Sequence, residues 1–349
     1  MYGPAEIAKR YSEAGAAKTR LAMPKAVILS TFAGMFIAFG AFGSQMVGLN
    51  GGSDPLAKLA GAAVFPVGLL MVLMAGAELF TGNSLIIISV LDGKATVKGM
   101  LRNWVIVYIG NFIGSIFVAV MLTYSHAYSQ FGGQLAESVV ATAQNKVLLS
   151  YPDALLRGIL CNILVCIAVW ISFSAEDVAG KILGLYLPIM LFVASGYEHS
   201  VANMYFIPAG ILTSMEYGIE ANAALTWQGF LVHNLLPVTV GNVIGGVCVV
   251  GLGYFFAYLH RKEAPKAAPA PRAEEKKLID LAEAQKNVAA FDIYSPNAAP
   301  LAEFSPYAPE AHEDDSHAID IALNGAKIHV GNDAEPVLLA QTIRLIKGL

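Results

Sequence analysis

Charged side chains are absent from six long stretches of the chain. No Asp, Glu, Lys or Arg occurs within 26–53, 59–77, 103–136, 158–175, 182–197 or 221–260. A helix that crosses a bilayer needs about 20 consecutive, mostly apolar residues. With allowance for helix ends, the pattern predicts six spans near 26–48, 58–91, 101–124, 154–174, 182–213 and 229–259. The second and fifth are too long for one plain crossing and carry Gly and Glu in the middle, so we expect both to be broken.

The two halves of the apolar region repeat each other. Residues 75–83 read AGAELFTGN and residues 195–203 read SGYEHSVAN, so Gly, Glu and Asn recur at one offset of 120. A second pair, GNFIG at 110–114 and GNVIG at 241–245, recurs at an offset of 131. Because three spans per half is an odd number, the second half must be inserted upside down. Inverted repeats with broken helices are typical of transporters and channels.

The distribution of basic residues predicts the orientation of the spans. Cytoplasmic loops are rich in Lys and Arg. With the N-terminus inside, the inner segments hold Lys9 to Lys25, Lys94, Lys98, Arg102, Lys181, Arg261 and Lys262, and the outer side keeps Lys58, Lys146 and Arg157. The sequence therefore predicts a multi-pass protein of the cell (cytoplasmic) membrane, with both termini in the cytoplasm.

Composition agrees with a chain whose solvent is mostly lipid. Only 14% of the residues are charged, against roughly a quarter in ordinary soluble domains. The net charge of −4 gives no reason to expect nucleic-acid binding. Three cysteines, Cys161, Cys166 and Cys248, lie in apolar stretches and are interpreted as packing residues. We expect no cofactor, no metal and no enzymatic activity.

Three regions are predicted along the chain. Residues 1–25 form a cytoplasmic amphipathic helix, 26–262 the transmembrane channel domain, and 263–349 a cytoplasmic, largely disordered Pro/Ala-rich acidic tail. Short helices are expected within the tail at 276–290 and 335–347. An enzymatic or binding tail anchored by the membrane part is disfavoured, because the tail has neither metal-ligand spacing nor a phosphate loop. A tether or docking segment is expected instead.

Polar residues within the spans are the candidates for chemistry, because an ionisable group at membrane depth costs roughly 2.5 to 3.5 kcal/mol. Glu78 and Glu198 stand beside the two breaks, where a carboxylate can accept hydrogen bonds from freed backbone N–H groups. This structural role is favoured over direct contact with the substrate, and Glu198 is kept among the candidate pore residues. His199 has Leu79 as its counterpart, and this asymmetry favours a proton donor or hydrogen-bond partner at the pore centre over a histidine satisfied by neighbouring helices.

Other residues near the breaks leave alternatives open. Thr81 and Asn203 lie at the breaks, whose helix ends favour an anion. Asn111 and Asn242 either face the solute or bridge helices. The large apolar residues are either plain core or two constrictions on either side of a small chamber; they are Phe65, Leu69, Leu79, Phe80, Val165 and Phe192.

Four motifs in order give the chain a resemblance to the formate/nitrite transporter family. They are AGAELFTGN at 75–83, CNILVCIAVW at 161–170, SGYEHSVANM at 195–204 and NLLPVTVGN at 234–242, and the resemblance spans roughly residues 5–260. It implies an all-α membrane protein, an aquaporin-like six-helix bundle assembled as a homopentamer with one pore per protomer. It also implies that His199, Thr81 and Asn242 line the pore, that Lys146 lies in the outer vestibule, and that the apolar residues form two slits.

The expected function is transport of a small monovalent anion across the bilayer. Formate is expected first, with nitrite or hydrosulfide as alternatives within the family, and passage is channel-like or proton-coupled. In the proton-coupled version Lys146 attracts the anion and His199 lends it a proton, so that a neutral acid crosses the apolar slit. An aquaporin-like pore for neutral solutes is the alternative class, but Asn-Pro-Ala is absent from both breaks.

Overall fold

The structure is a computed structural model that describes residues 1–49, 54–260, 319–323 and 326–330. The chain divides into two units, Met1–Lys266 and Ala267–Leu349. All of the predicted spans lie in the first unit.

The first half of this unit runs from α1 to α7. Its helices are α1 (Pro4–Thr19), α2 (Met23–Val47), α3 (Pro55–Val64), α4 (Pro66–Ala75), α5 (Phe80–Asn83), α6 (Ile86–Leu91) and α7 (Val97–Tyr124). Asp54 and Thr96 cap α3 and α7 by accepting hydrogen bonds from Leu56 N and Gly99 N.

The second half follows two 3-10 turns, Ala127–Ser129 and Phe131–Gly133. Its helices are α8 (Gln134–Val147), α9 (Tyr151–Ser172), α10 (Val178–Ala194) and α11 (Ser200–Tyr217). The last span, Gly229–Tyr258, contains α12 (Leu236–Val243) and α13 (Leu252–Tyr258), each preceded by a π-helical segment, Gly229–Leu235 and Ile244–Gly251.

Five of the described helices are long and apolar enough, by length and composition, to cross a membrane. They are Met23–Val47, Pro55–Ala75, Val97–Tyr124, Tyr151–Ser172 and Gly229–Tyr258. The remaining predicted span, near 182–213, is divided between α10 and α11. The described part of the first unit has helices and no strands, as the sequence predicts for an all-α membrane protein.

Both predicted breaks are present and are built alike. The backbone leaves helical geometry at Gly76 and Gly196, whose φ angles of 80° and 68° are left-handed and favour glycine. Three residues after each glycine, Leu79 and His199 are extended and serve as the N-cap residues of α5 and α11. Spans two and five therefore each consist of a helix, a short extended segment and a second helix.

The packing of the spans repeats between the halves. In the first half α2 packs along α7, and in the second half α9 packs along α12, while the broken spans meet where α10 contacts α3 and α4. Gly114 of α7 lies against the Thr31 carbonyl, and Gly245 of the last span lies against the Ile159 carbonyl at the matching place. Small residues let helices in lipid approach this closely.

Two antiparallel strands, β1 (Ile319–Leu323) and β2 (Ala326–Val330), occur in the second unit, with Ile321 opposite Ile328. This hairpin is not among the elements predicted from the sequence. The helices expected at 276–290 and 335–347, and most of the tail predicted to be disordered, lie outside the described residues.

The close packing at Gly114 leads to a prediction about the free energy of unfolding. A Cβ there would overlap the Thr31 backbone, so Gly114→Ala should lose about 1–3 kcal/mol. Gly253→Ala is the matched control, because no atom lies within 4 Å of its added Cβ. Thermal unfolding of the detergent-purified proteins measures the difference. Equal melting temperatures for both variants and the wild type would contradict the packing described.

Candidate functional site

Three cavities line up along the broken spans. The first, called here the α1 vestibule, has a volume of about 610 Å³ and is bordered by Tyr11 and Lys18 of α1 and by Leu79. The second, the α8 vestibule, has about 180 Å³ and is bordered by Ser138 and Thr142 of α8. Between them lies a void of about 10 Å³ beside His199, which we call the central cavity. Leu69 and Leu79 line both the α1 vestibule and the central cavity, and Phe206 of the α8 vestibule stacks on Phe65 of the central cavity. We call these neighbouring cavities the path.

His199, which lines the central cavity, contacts Thr81, although the two lie 118 residues apart in the sequence. The His199 Nε2 and the Thr81 Oγ1 are 2.9 Å apart, and both side chains are buried. The two breaks position them, since Thr81 stands in the first turn of α5 and His199 immediately precedes α11. The structure therefore brings together the two polar residues predicted for the pore centre.

The second ring nitrogen of His199 fixes the tautomer. Nδ1 accepts a hydrogen bond from Ala202 N at 3.0 Å, as an N-cap side chain does. A neutral imidazole has one donor and one acceptor nitrogen, so this network assigns the proton to Nε2. Nε2–H accordingly donates to the Thr81 hydroxyl.

Five of the six predicted constriction residues surround His199. Phe65, Leu69, Leu79, Val165 and Phe192 line the central cavity. The Phe192 ring stacks on the imidazole at 5.8 Å and meets the Phe65 ring edge-on at 5.4 Å. Phe80 is placed differently: its ring packs against Tyr108 and Trp104 of α7, because α5 turns that side chain away from the path.

The central cavity is smaller than the chamber expected from the sequence. Its volume of about 10 Å³ is at the lower limit for a single water molecule. The apolar side chains on its two sides are almost in contact, so the structure shows a closed path.

Asn111 and Asn242 hold the two breaks in place. Asn242 Oδ1 accepts from Ser200 N at 2.9 Å, and its Nδ2 donates to the Gly158 and Glu198 carbonyls. Asn111 does the same at the first break, with Phe80 N, the Ser30 carbonyl and the Glu78 carbonyl. The oxygen and the nitrogen of each side-chain amide are thus bonded to backbone groups. Of the two roles expected for these asparagines, facing the solute or bridging helices, the contacts match bridging.

The two glutamates are held by lysines and asparagines rather than by the freed N–H groups that the sequence suggested. Lys146 Nζ is 2.8 Å from Glu198 Oε1, and Asn203 Nδ2 donates to Glu198 Oε2 at 2.7 Å. Lys146 also lies 5.1 Å above the Phe206 ring, near the α8 vestibule. Its charge is therefore already paired within the protein.

The first half contains the same cluster. Lys18 Nζ is 2.7 Å from Glu78 Oε1, and Asn83 Nδ2 donates to Glu78 Oε2 at 2.8 Å. Lys18 and Lys146 are related by an offset of 128, so α1 is the repeat counterpart of α8. The sequence alone predicts a separate N-terminal helix and does not predict this pairing of Lys18.

Two further asparagines were also missed. Asn103 accepts from Asn83 and donates to the Lys18 carbonyl, while Asn234 accepts from Asn203 and donates to the Lys146 carbonyl. A signal was present in the sequence: Asn103 precedes Asn111 by eight residues, and Asn234 precedes Asn242 by the same eight.

Comparison with protein families gives a match over most of the chain. The model of a formate/nitrite transporter matches residues 5–256. The "Uncharacterized transporter YrhG" of Bacillus subtilis (strain 168) is 44% identical over 263 residues, covering 74% of this chain and 94% of that protein. The "Formate channel FocA" of Escherichia coli (strain K12) is 38% identical over 273 residues, covering 74% of this chain and 95% of that protein.

Solved structures give the same result. A structure described as "Pentameric formate channel with formate bound" is 35% identical, with a TM-score of 0.60 over 68% of this chain and 98% of its own. Another, described as an "FNT family ion channel", is 31% identical, with a TM-score of 0.64 over 72% and 98% of the two chains.

We expect the protein to lose stability when the side chain of Asn111 or Asn242 is truncated. Asn242→Ala leaves Ser200 N–H buried without its acceptor, which costs about 1–3 kcal/mol. Asn111→Ala should behave alike, because it orphans Phe80 N–H. Thermal unfolding in detergent measures both, with exposed Asn145→Ala as the control. The bridging role would be excluded if all three variants unfolded together with the wild type.

Proposed function

The chain belongs to the formate/nitrite transporter family and transports small anions, and on that premise we propose that its principal substrate is formate. We propose further that formate passes His199 and that the protein is a homopentamer with one path in each protomer. Formate comes first because the similar FocA of Escherichia coli is named a formate channel, and the pentamer because a similar structure is described as pentameric with formate bound. Nitrite and hydrosulfide are the alternative anions within the family.

The observation that carries this proposal is the buried Nε2–H of His199 between two vestibules. An anion that enters an apolar constriction loses its hydration, and the lost hydrogen bonds have to be replaced. Nε2–H and the Thr81 hydroxyl are the polar groups that stand there to replace them. Hydrogen bonds to a charged partner are worth about 1.5–3 kcal/mol, which is more than bonds between neutral groups give.

Proton exchange is proposed as a second, conditional step. For His199 to release its Nε2 proton and remain neutral, Nδ1 has to take a proton up. Nδ1 faces the Ala202 N–H, and two donors cannot share that 3.0 Å contact. Proton-coupled passage therefore requires the first turn of α11 to release the ring, whereas hydrogen bonding to a bare anion does not.

Localisation follows from the same premise. Membership in a transporter family, together with several apolar helices, indicates that the chain is a multi-pass membrane protein. We propose the cytoplasmic membrane with both termini inside, supported by the excess of Lys and Arg on the side of α1. On this assignment the α1 vestibule opens to the cytoplasm. We also propose that residues 263–349 are an accessory tail.

Substitutions of His199 test its role in transport. His199→Phe removes the donor, so uptake of radiolabelled formate into proteoliposomes should fall about 10-fold to 100-fold, the equivalent of one charge-assisted hydrogen bond. His199→Gln keeps an N–H donor and should retain part of the flux. His233→Phe, which changes an exposed histidine of the last span, is the control. Undiminished flux in His199→Phe would remove this residue from the path.

The class of solute is tested on the wild type. Formate and nitrite should cross, while glycerol should not, as followed by stopped-flow swelling of the same proteoliposomes. Glycerol-driven swelling without anion flux would favour the pore for neutral solutes and would overturn the proposal.

A further inference from the structure

The broken spans begin with the same short pattern in both halves. Asp54 and Asp177 are N-cap residues, and each is followed four positions later by a lysine, Lys58 in α3 and Lys181 in α10. Asp54 Oδ1 accepts from Leu56 N at 2.9 Å and Asp177 Oδ1 accepts from Gly180 N at 2.7 Å. The lysines are thus related by the inverted repeat and belong to opposite ends of the path.

Each of these lysines lines one vestibule. Lys58 borders the α8 vestibule, and its Nζ lies 4.0 Å from the position of a Cβ built on Gly196, at the break of span five. Lys181 borders the α1 vestibule. Both positions place an ammonium group where an anion arriving from solution first meets the path.

Neither lysine forms an ion pair within 4 Å in the described part of the chain, in contrast to Lys18 and Lys146. In the α1 vestibule Lys18 is paired with Glu78, Arg10 with Glu6 and Glu13 with Lys94. That leaves Lys181 as the cation without an ion pair among the described lining residues. In the α8 vestibule Lys58 is the one charged residue of the described lining.

The α8 vestibule offers a second donor beside Lys58. Gln45 is only 7% exposed and lines the same cavity. Its Oε1 accepts from the Tyr205 hydroxyl at 3.1 Å, whereas its Nε2 has no partner within the described residues. A buried amide donor without an acceptor is unfavourable by about 1–3 kcal/mol, and an anion held by Lys58 is an acceptor in the same cavity.

We propose that Lys58 and Lys181 are the two anion-capture residues of this transporter, one at each mouth, and that they take a small monovalent anion such as a carboxylate or an inorganic oxoanion. The inference rests on the proposed function and adds to it the residues that concentrate the substrate. Lys18 and Lys146 then hold the glutamates at the breaks. An unpaired charge in a cleft raises the local concentration of counter-ions, and the effect weakens as salt is added.

Sided transport measurements test this proposal on the full chain. Initial rates of formate and nitrite entry are measured with right-side-out and inside-out membrane vesicles, at low and high ionic strength. Lys58→Met should raise KM about fivefold at one face and Lys181→Met at the other, the effect of one unit charge at about 4 Å in water. The maximal rates should stay within about twofold, and Lys58→Arg and Lys181→Arg should restore KM.

Matched controls separate capture from general surface charge. Arg157→Met and Lys98→Met remove the same charge from exposed residues near α8 and α1 that do not line the vestibules. Unchanged KM in both lysine variants, or equal changes of KM in the controls, overturns the capture role of Lys58 and Lys181. The proposed function is still supported in that case if the wild type transports formate. A wild type that passes neither anion overturns both.

Discussion

A helix that is interrupted within a bilayer leaves backbone N–H and C=O groups without partners, and each such group costs several kcal/mol in hydrocarbon. The structure depends on how this cost is met. Asn111 and Asn242 each take up one N–H and two carbonyls at the two breaks, so that spans two and five can be non-helical in the protein interior. The partly buried Lys18–Glu78 and Lys146–Glu198 pairs complete the same frame.

The frame is nearly symmetric, and its chemistry lies where the symmetry fails. Leu79 and His199 occupy equivalent extended positions, and Thr81 has Val201 as its counterpart. The symmetric Asn111 and Asn242 are bonded to backbone groups, and the symmetric glutamates are paired with lysines, so these residues act as scaffold. The Thr81–His199 pair belongs to neither repeat alone, and its Nε2–H is enclosed by the apolar side chains that close the path. Structural and solute-facing roles are therefore divided between different residues of the same breaks.

Much of this arrangement can be predicted from the sequence, because lipid imposes strong patterns. Charge-free stretches give the spans, and the two repeated motifs give the breaks and the residues His199, Thr81, Glu198 and Asn242. The partners of the buried charges were not predictable in this way: Lys18 lies in a polar segment outside the apolar pattern, and its contact with Glu78 depends on how α1 folds back. The direction of each side chain could not be predicted from the sequence either. Leu79 and Phe80 are adjacent, yet of these two only Leu79 lines the central cavity.

The central claim is that an anion on this path exchanges its water for the Nε2–H of His199 and the hydroxyl of Thr81. A structure of the wild-type protein in lipid nanodiscs with saturating formate tests it most directly. The account predicts formate density within about 3 Å of His199 Nε2, with Phe65 and Phe192 moved apart to admit it. Formate bound elsewhere, with the imidazole still covered by Phe192, would contradict it.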